Sequence, residues 1–183
     1  KVAKLGAPAL DPLSACLSDQ NLDVKQGAIE ALGNLGDKRA ISPLSNALPD
    51  WNLNGALVSA LEKLGWKPTS DAEQIYSWIG KQDSSHLKQA WEKTSKVLLD
   101  DVSSGDQRKV ENAVYCFVAL GEPKVVDNLV QILDDHGDKD MAETYLNSGN
   151  DKLEQAARDW ASSNGYQTIT IPAGSTPMHW GSW

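Results

Sequence analysis

The chain has 183 residues, 40% hydrophobic and 23% charged, which are the values of a folded chain rather than a disordered one. Lys and Arg total 17 against 25 Asp and Glu, a formal charge of −8. This balance argues against nucleic acid as a partner, because phosphate binding rests on clustered cations releasing counterions, but it permits a basic protein surface. No apolar run approaches the roughly 20 residues that span a bilayer.

The opening KVAKLG is too short and too mixed for a secretory signal and reads as the last turns of a helix that begins upstream. With neither a signal nor a membrane segment in view, the expected compartment is the cytoplasm. PALDPLSACLSD (8–19) and RAISPLSNALPD (39–50) match through Leu10/Ile41, Pro12/Pro43, Leu13/Leu44 and Leu17/Leu48. Each predicts a short helix with proline in its first turn, where the missing amide is not needed.

A second, longer helix follows each of these. Asp23, Val24, Ala28, Ala31, Leu32, Leu35 and Gly36 fall in register on Asn52, Leu53, Leu57, Ala60, Leu61, Leu64 and Gly65. The apolar members lie on one helical stripe. Asp23 or Asn52 is expected as N-cap and the glycine as terminator with positive φ. Gly6, Gly36 and Gly65 recur about every 30 residues, and Gly121 comes two periods later. A period of this size marks a stacked array of helical hairpins, each covering the apolar face of the next.

The middle stretch, 66–105, departs from the repeat but stays helical. Ser70 and Glu73 form a capping box before AEQIYSWIGKQ, and Leu87, Trp91, Leu98 and Val102 mark one long amphipathic helix. PKVVDNLVQILDD (123–135) returns to the first-helix pattern, with Val126, Leu129 and Leu133 inward. The last helix carries Leu153, Ala156, Ala157 and Trp160 inward and ends at Gly165. Beyond it, QTITIPAGSTPMHWGSW (167–183) is not helical, and alternation around Ile169 and Ile171 suggests at most a short extended piece.

No catalytic or metal-binding constellation stands out. The chain has no P-loop, G-x-G-x-x-G, G-x-S-x-G or H-E-x-x-H, so neither a catalytic residue nor a cofactor is expected. His86, His136 and His179 share no ligand spacing. Asp134–Asp140 is rich in carboxylates but lacks the EF-hand order, and reads as the capped start of a helix. Cys16 and Cys116 form no framework and read as small buried hydrophobes. Of seven tryptophans, Trp66, Trp78, Trp91 and Trp160 are expected near apolar faces and Trp51 half-exposed. Trp180 and Trp183 leave two readings open: a tail folding back to cap the array, which is favoured because solenoid ends need covering, or a tethered recognition peptide.

Residues 22–48, LDVKQGAIEALGNLGDKRAISPLSNAL, resemble a HEAT-like repeat of the phycobilisome-lyase type found in bacterial proteins. They share its acidic cap, paired Leu-Gly ending and following A…PL…L helix, with Lys25 where such repeats commonly have Arg, and Asn54 in the second unit. The resemblance is good over 1–65 and fair over 106–148. It implies an all-α, right-handed α-α superhelix of about ten helices over 1–165, with 66–105 as a divergent spacer and 166–183 as an extended tail. It also implies a concave row of second helices opposite the stripe of Val24, Ala28, Ala31 and Leu35. That row comprises Gln26, Glu30 and Gly33, then Gly55, Ser59 and Glu62, then Glu111, Tyr115 and Val118. The leading expectation is a non-enzymatic scaffold that binds another protein there. The alternative, carried by the resemblance alone, is a bilin lyase or isomerase, or a subunit of one. A HEAT-like DNA glycosylase is a third reading, in conflict with the acidic charge.

Overall fold

A computed structural model of the chain describes residues 6–166 and 178–183. Of the helix end expected over 1–6, residues 1–5 lie outside the described residues, as does the extended piece around Ile169 and Ile171. Gly6 belongs to the helix Gly6–Ala15 rather than terminating one before it. Among the described residues the fold is all-α, with eleven helices and no strand. They are α1 (Gly6–Ala15), α2 (Leu22–Leu35), α3 (Ile41–Asn46), α4 (Asn54–Lys63), α5 (Asp71–Gly80), α6 (Ser84–Gln89), α7 (Trp91–Val102), α8 (Gln107–Leu120), α9 (Val126–His136), α10 (Lys139–Leu146) and α11 (Asp151–Ser163). The chain divides into two compact units, Lys1–Thr94 and Ser95–Trp183, with the division inside α7.

In the first unit α2 packs on α1 and α4, α3 on α4, and α4 on α5, the hairpin-on-hairpin order of a solenoid. Its core is built from Leu32, Leu44, Leu48, Leu57 and Leu61, all fully buried. In the second unit α8 packs on α9 and α10, and α11 on α9 and α10, around Phe117, Leu120, Leu129, Leu133, Tyr145 and Leu153. Tyr145 places its hydroxyl in this core and donates to the Leu129 carbonyl at 2.8 Å, which removes the cost of burying the group.

The helix boundaries follow local chemistry. Gly36, Gly65 and Gly121 take φ of 72°, 76° and 66° as the chain leaves α2, α4 and α8, as the repeating Leu-Gly predicts. The N-cap of α2, however, is Asn21, whose side chain accepts from the Asp23 amide at 2.8 Å. Asp23 sits inside the first turn, where its charge favours the positive end of the helix dipole. Asn52 caps nothing: α4 starts at Asn54 after a turn, with Leu53 in the cap position. Ser70 caps α5 by accepting from the Glu73 amide. The Glu73 carboxylate reaches one residue further back than a capping box requires, to the amide and hydroxyl of Thr69 at 2.6 and 2.8 Å.

The single helix expected through Leu87, Trp91, Leu98 and Val102 is two. The chain breaks at Ala90 (φ −96°, ψ 33°) between α6 and α7. Buried Thr94 donates its hydroxyl to the Leu87 carbonyl at 2.9 Å, satisfying an acceptor that the end of α6 leaves without a helical partner.

The buried face of α2 is also turned relative to expectation. Ala28, Ile29, Leu32 and Gly33 are buried, whereas Val24 is 39% exposed and Ala31 and Leu35 are half-buried. The neighbours of α2 cover the Ile29–Leu32 flank more fully than the Val24–Leu35 line.

Candidate interaction surface

In the first unit the rotation of α2 sorts the expected concave residues into two kinds. Gln26, Glu30, Ser59 and Glu62 are exposed, as a binding row requires. Gly33 is instead where α2 meets α4: a Cβ added there would lie 3.0 Å from the Ala60 Cβ and 3.1 Å from the Ala60 Cα. Glycine in a helix interior costs about 1 kcal/mol relative to alanine, and here it permits that close approach. Glu62, its register counterpart, stays exposed and pairs through Oε1 with Lys81 Nζ at 2.6 Å, just past the end of α5.

Polar ties run alongside this contact. Lys63 Nζ donates to Asn34 Oδ1 at 3.2 Å, joining equivalent positions of the α2 and α4 repeats. Lys25, only 11% exposed at its side chain, pairs with Asp50 at 3.1 Å. Asn54 is buried and donates from Nδ2 to the Leu48 carbonyl. Lys25 and Asn54 thus both tie a second helix to the polypeptide around α3, by an ion pair in one repeat and a side-chain amide hydrogen bond in the next. Gln26, Glu30 and Ser59 therefore stand on two helices held together by close backbone packing and side-chain bonds.

In the second unit Glu111 and Tyr115 are half-buried on α8, and Val118 is fully buried. Burial pushes the Glu111 carboxyl above its ordinary range, helped by the negative charges of Asp138, Asp140 and Asp106. Gln107 Nε2 donates to Asp138 Oδ2 at 2.9 Å. Asp138 caps α10 by accepting from the Met141 amide at 2.8 Å, the role expected for this acidic stretch.

A cleft of about 390 Å³ lies between α9 and α11, lined in part by Val130, Asp134, Asp135, Asp159, Trp160 and Asn164. The Trp160 indole stacks on the Tyr166 ring, with centroids 5.6 Å apart. No sequence motif pointed to this cleft, because its walls come from two helices separated in the chain. Trp180 and Trp183 are half-buried; the backbone around them bonds to the ends of α8 and α10, with Trp180 N donating to the Ser148 carbonyl at 2.7 Å and Trp183 N to the Ala119 carbonyl at 3.0 Å.

The other candidates are dispersed. His86 stacks on Trp78 at 5.2 Å and bonds through Nδ1 to Asp83 Oδ2 at 2.6 Å, while His136 and His179 are exposed elsewhere. Cys116 is buried, and burial raises its thiol pKa well above the ordinary range; Cys16 is half-buried. Among the described residues no group of three or more His, Cys, Asp or Glu side chains is placed to hold a metal ion, and no helix is long and apolar enough to cross a membrane.

Residues 10–94 match the family model described as HEAT repeats. The match covers a little under half of the chain and ends at the same residue as the first compact unit. No curated protein and no solved structure matches the chain.

Proposed function

We propose, from the premise that this is a HEAT-like repeat protein, that it is a non-enzymatic scaffold binding another protein through the exposed flank of its second helices, α2 and α4. The observation that carries the reading is the placement of Gln26, Glu30, Ser59 and Glu62. They lie outward on two helices whose opposite sides are buried and whose mutual approach is fixed at Gly33 and Ala60. Solenoid repeats present such faces as extended binding surfaces, and a rigid platform loses little entropy on association. A specific complex would cover about 800 Å² on each partner.

Glu30 and Glu62, with the overall charge of −8, favour a partner with a basic face, since complementary charge steers encounter and rejects wrong partners. Glu111 and Tyr115 form a separate candidate patch on the second unit. The test is quantitative co-purification from the native organism by the wild-type chain, by Glu30→Lys/Glu62→Lys, and by Glu111→Lys. Loss of one recovered protein with the first variant and retention with the second supports the α2–α4 surface. Equal recovery by all three would place the interface elsewhere.

A further inference from the structure

Residues 178–183 are held by a set of specific backbone contacts. His179 to Ser182 form a tight turn, with the Ser182 amide donating to the His179 carbonyl at 3.1 Å and Gly181 at φ 70°. That is the third position of a turn, where type II geometry calls for glycine. The turn and the residue after it present three further amides, and all three are matched. Trp180 donates to the Ser148 carbonyl at 2.7 Å, Gly181 to the Val118 carbonyl at 2.9 Å, and Trp183 to the Ala119 carbonyl at 3.0 Å.

Two of these acceptors belong to the last turn of α8, whose carbonyls have no partner within the helix. The third precedes Gly149, in the turn between α10 and α11. Gly121 completes the fit. A Cβ built on it would lie 2.5 Å from the Gly181 Cα and 2.6 Å from the Gly181 nitrogen, so the two backbones touch where any larger residue would separate them. Gly181 has room around it, the Gly121 Cα being 3.9 Å from its own added Cβ. What it supplies is the positive φ, which a β-branched residue adopts only at high cost.

We propose that the C-terminal end of α8, with the α10–α11 turn, is a peptide-docking site that reads an aromatic–Gly–small–aromatic turn, and that Met178–Trp183 fill it in cis. The recognition elements are carbonyls, a glycine notch and a turn requirement. None of them depends on the ligand belonging to the same chain. Connection within one chain holds the tail near the site at an effective concentration on the order of millimolar. A free peptide with an intrinsic Kd of about 100 µM is therefore outcompeted about 10-fold in the wild-type protein. This site is separate from the α2–α4 surface, and its failure would leave the reading of that surface untouched.

The test uses the full chain and a fluorescein-labelled hexapeptide of residues 178–183, followed by anisotropy. Gly181→Val in the protein disfavours the turn and vacates the site without altering its walls. The peptide is expected to bind this variant about 10-fold more tightly than wild type, and the same peptide carrying Gly181→Val is expected to bind neither. A second measurement needs no variant: in wild type the Gly181 and Trp183 amides should exchange hydrogen slowly and speed up when millimolar unlabelled peptide is added. Equal affinity for wild type and variant, absence of binding to the folded variant, equal binding of both peptides, or exchange rates indifferent to added peptide would each overturn the proposal.

Discussion

Two glycines of α2 make an internal comparison that tests how closely the repeats pack. Gly27 and Gly33 both lie inside the helix, but a Cβ on Gly27 would meet nothing within 4 Å. Gly27→Ala should therefore stabilise the chain by about 0.5–1 kcal/mol, through reduced freedom of the unfolded chain and better helix propensity. Gly33→Ala gains the same amount, yet its methyl would press on the Ala60 Cβ at 3.0 Å and on the Ala60 Cα at 3.1 Å.

Overpacking of this kind costs about 1–3 kcal/mol, so the net effect at Gly33 runs from near zero to about 2 kcal/mol of destabilisation. The gap between the two variants is the overpacking alone, about 1–3 kcal/mol. In a chain of this size that separates their melting temperatures by roughly 2–4 °C per kcal/mol. Adding Ala60→Gly to Gly33→Ala should recover only part of the loss, because the Ala60 Cα stays at 3.1 Å. Urea titrations followed by circular dichroism measure all four proteins. If Gly33→Ala proves as stabilising as Gly27→Ala, α2 and α4 are further apart than the fold requires and the platform argument fails with them.

Other perturbations read single contacts. Tyr145→Phe removes one buried hydrogen bond to the Leu129 carbonyl and should cost about 1 kcal/mol in the same titration. Glu111 has a carboxyl pKa raised above the ordinary 4.5, so its contribution to stability is present below 4.5 and lost as pH rises through the higher folded value. Glu111→Gln should then be more stable than wild type near neutral pH and equal to it at pH 4, and a constant difference would contradict this. Asp37, bonded by the side chain and then the amide of Arg39, is drawn down from 3.8 to about 2. Its contribution is present above 3.8 and disappears as pH falls through about 2. A carboxyl-carbon NMR titration should show that midpoint, and Arg39→Ala should return it only partway, because the amide at residue 39 still donates. The native protein should react with a thiol reagent at half-buried Cys16 and not at buried Cys116, whereas equal labelling would mean that the α8 core opens readily.

Local chemistry explains why so much was legible before the structure. Leu-Gly endings and period-3.6 apolar spacing are properties of single segments. They fixed the all-α hairpin class, the positive φ at Gly36 and Gly65, the inward face of α9 and the capping role of the acidic stretch Asp134–Asp140, within which the structure selects Asp138. The first-turn proline holds for Pro43 in α3, whereas Pro12 lies inside α1, which starts further upstream than its match to α3 implies. Errors arose where two local solutions compete. Asn21 and Asp23 are both capable caps, and the position where the preceding chain turns selects Asn21. The break at Ala90 carries no proline or glycine and rests on a hydroxyl that finds the Leu87 carbonyl across the bend.

Sequence alone determined that the segments are helices and that each has an oily side needing cover, because spacing along one segment sets both. Only the tertiary structure decided which flank of each helix is covered. A small rotation of α2 carried Gly33 from the expected open row into the seam against Ala60 and left Val24 in solvent. The docking of Met178–Trp183 on α8 was likewise decided in three dimensions. Its acceptors lie tens of residues from its donors, and the space left by two glycines exists only once their backbones meet.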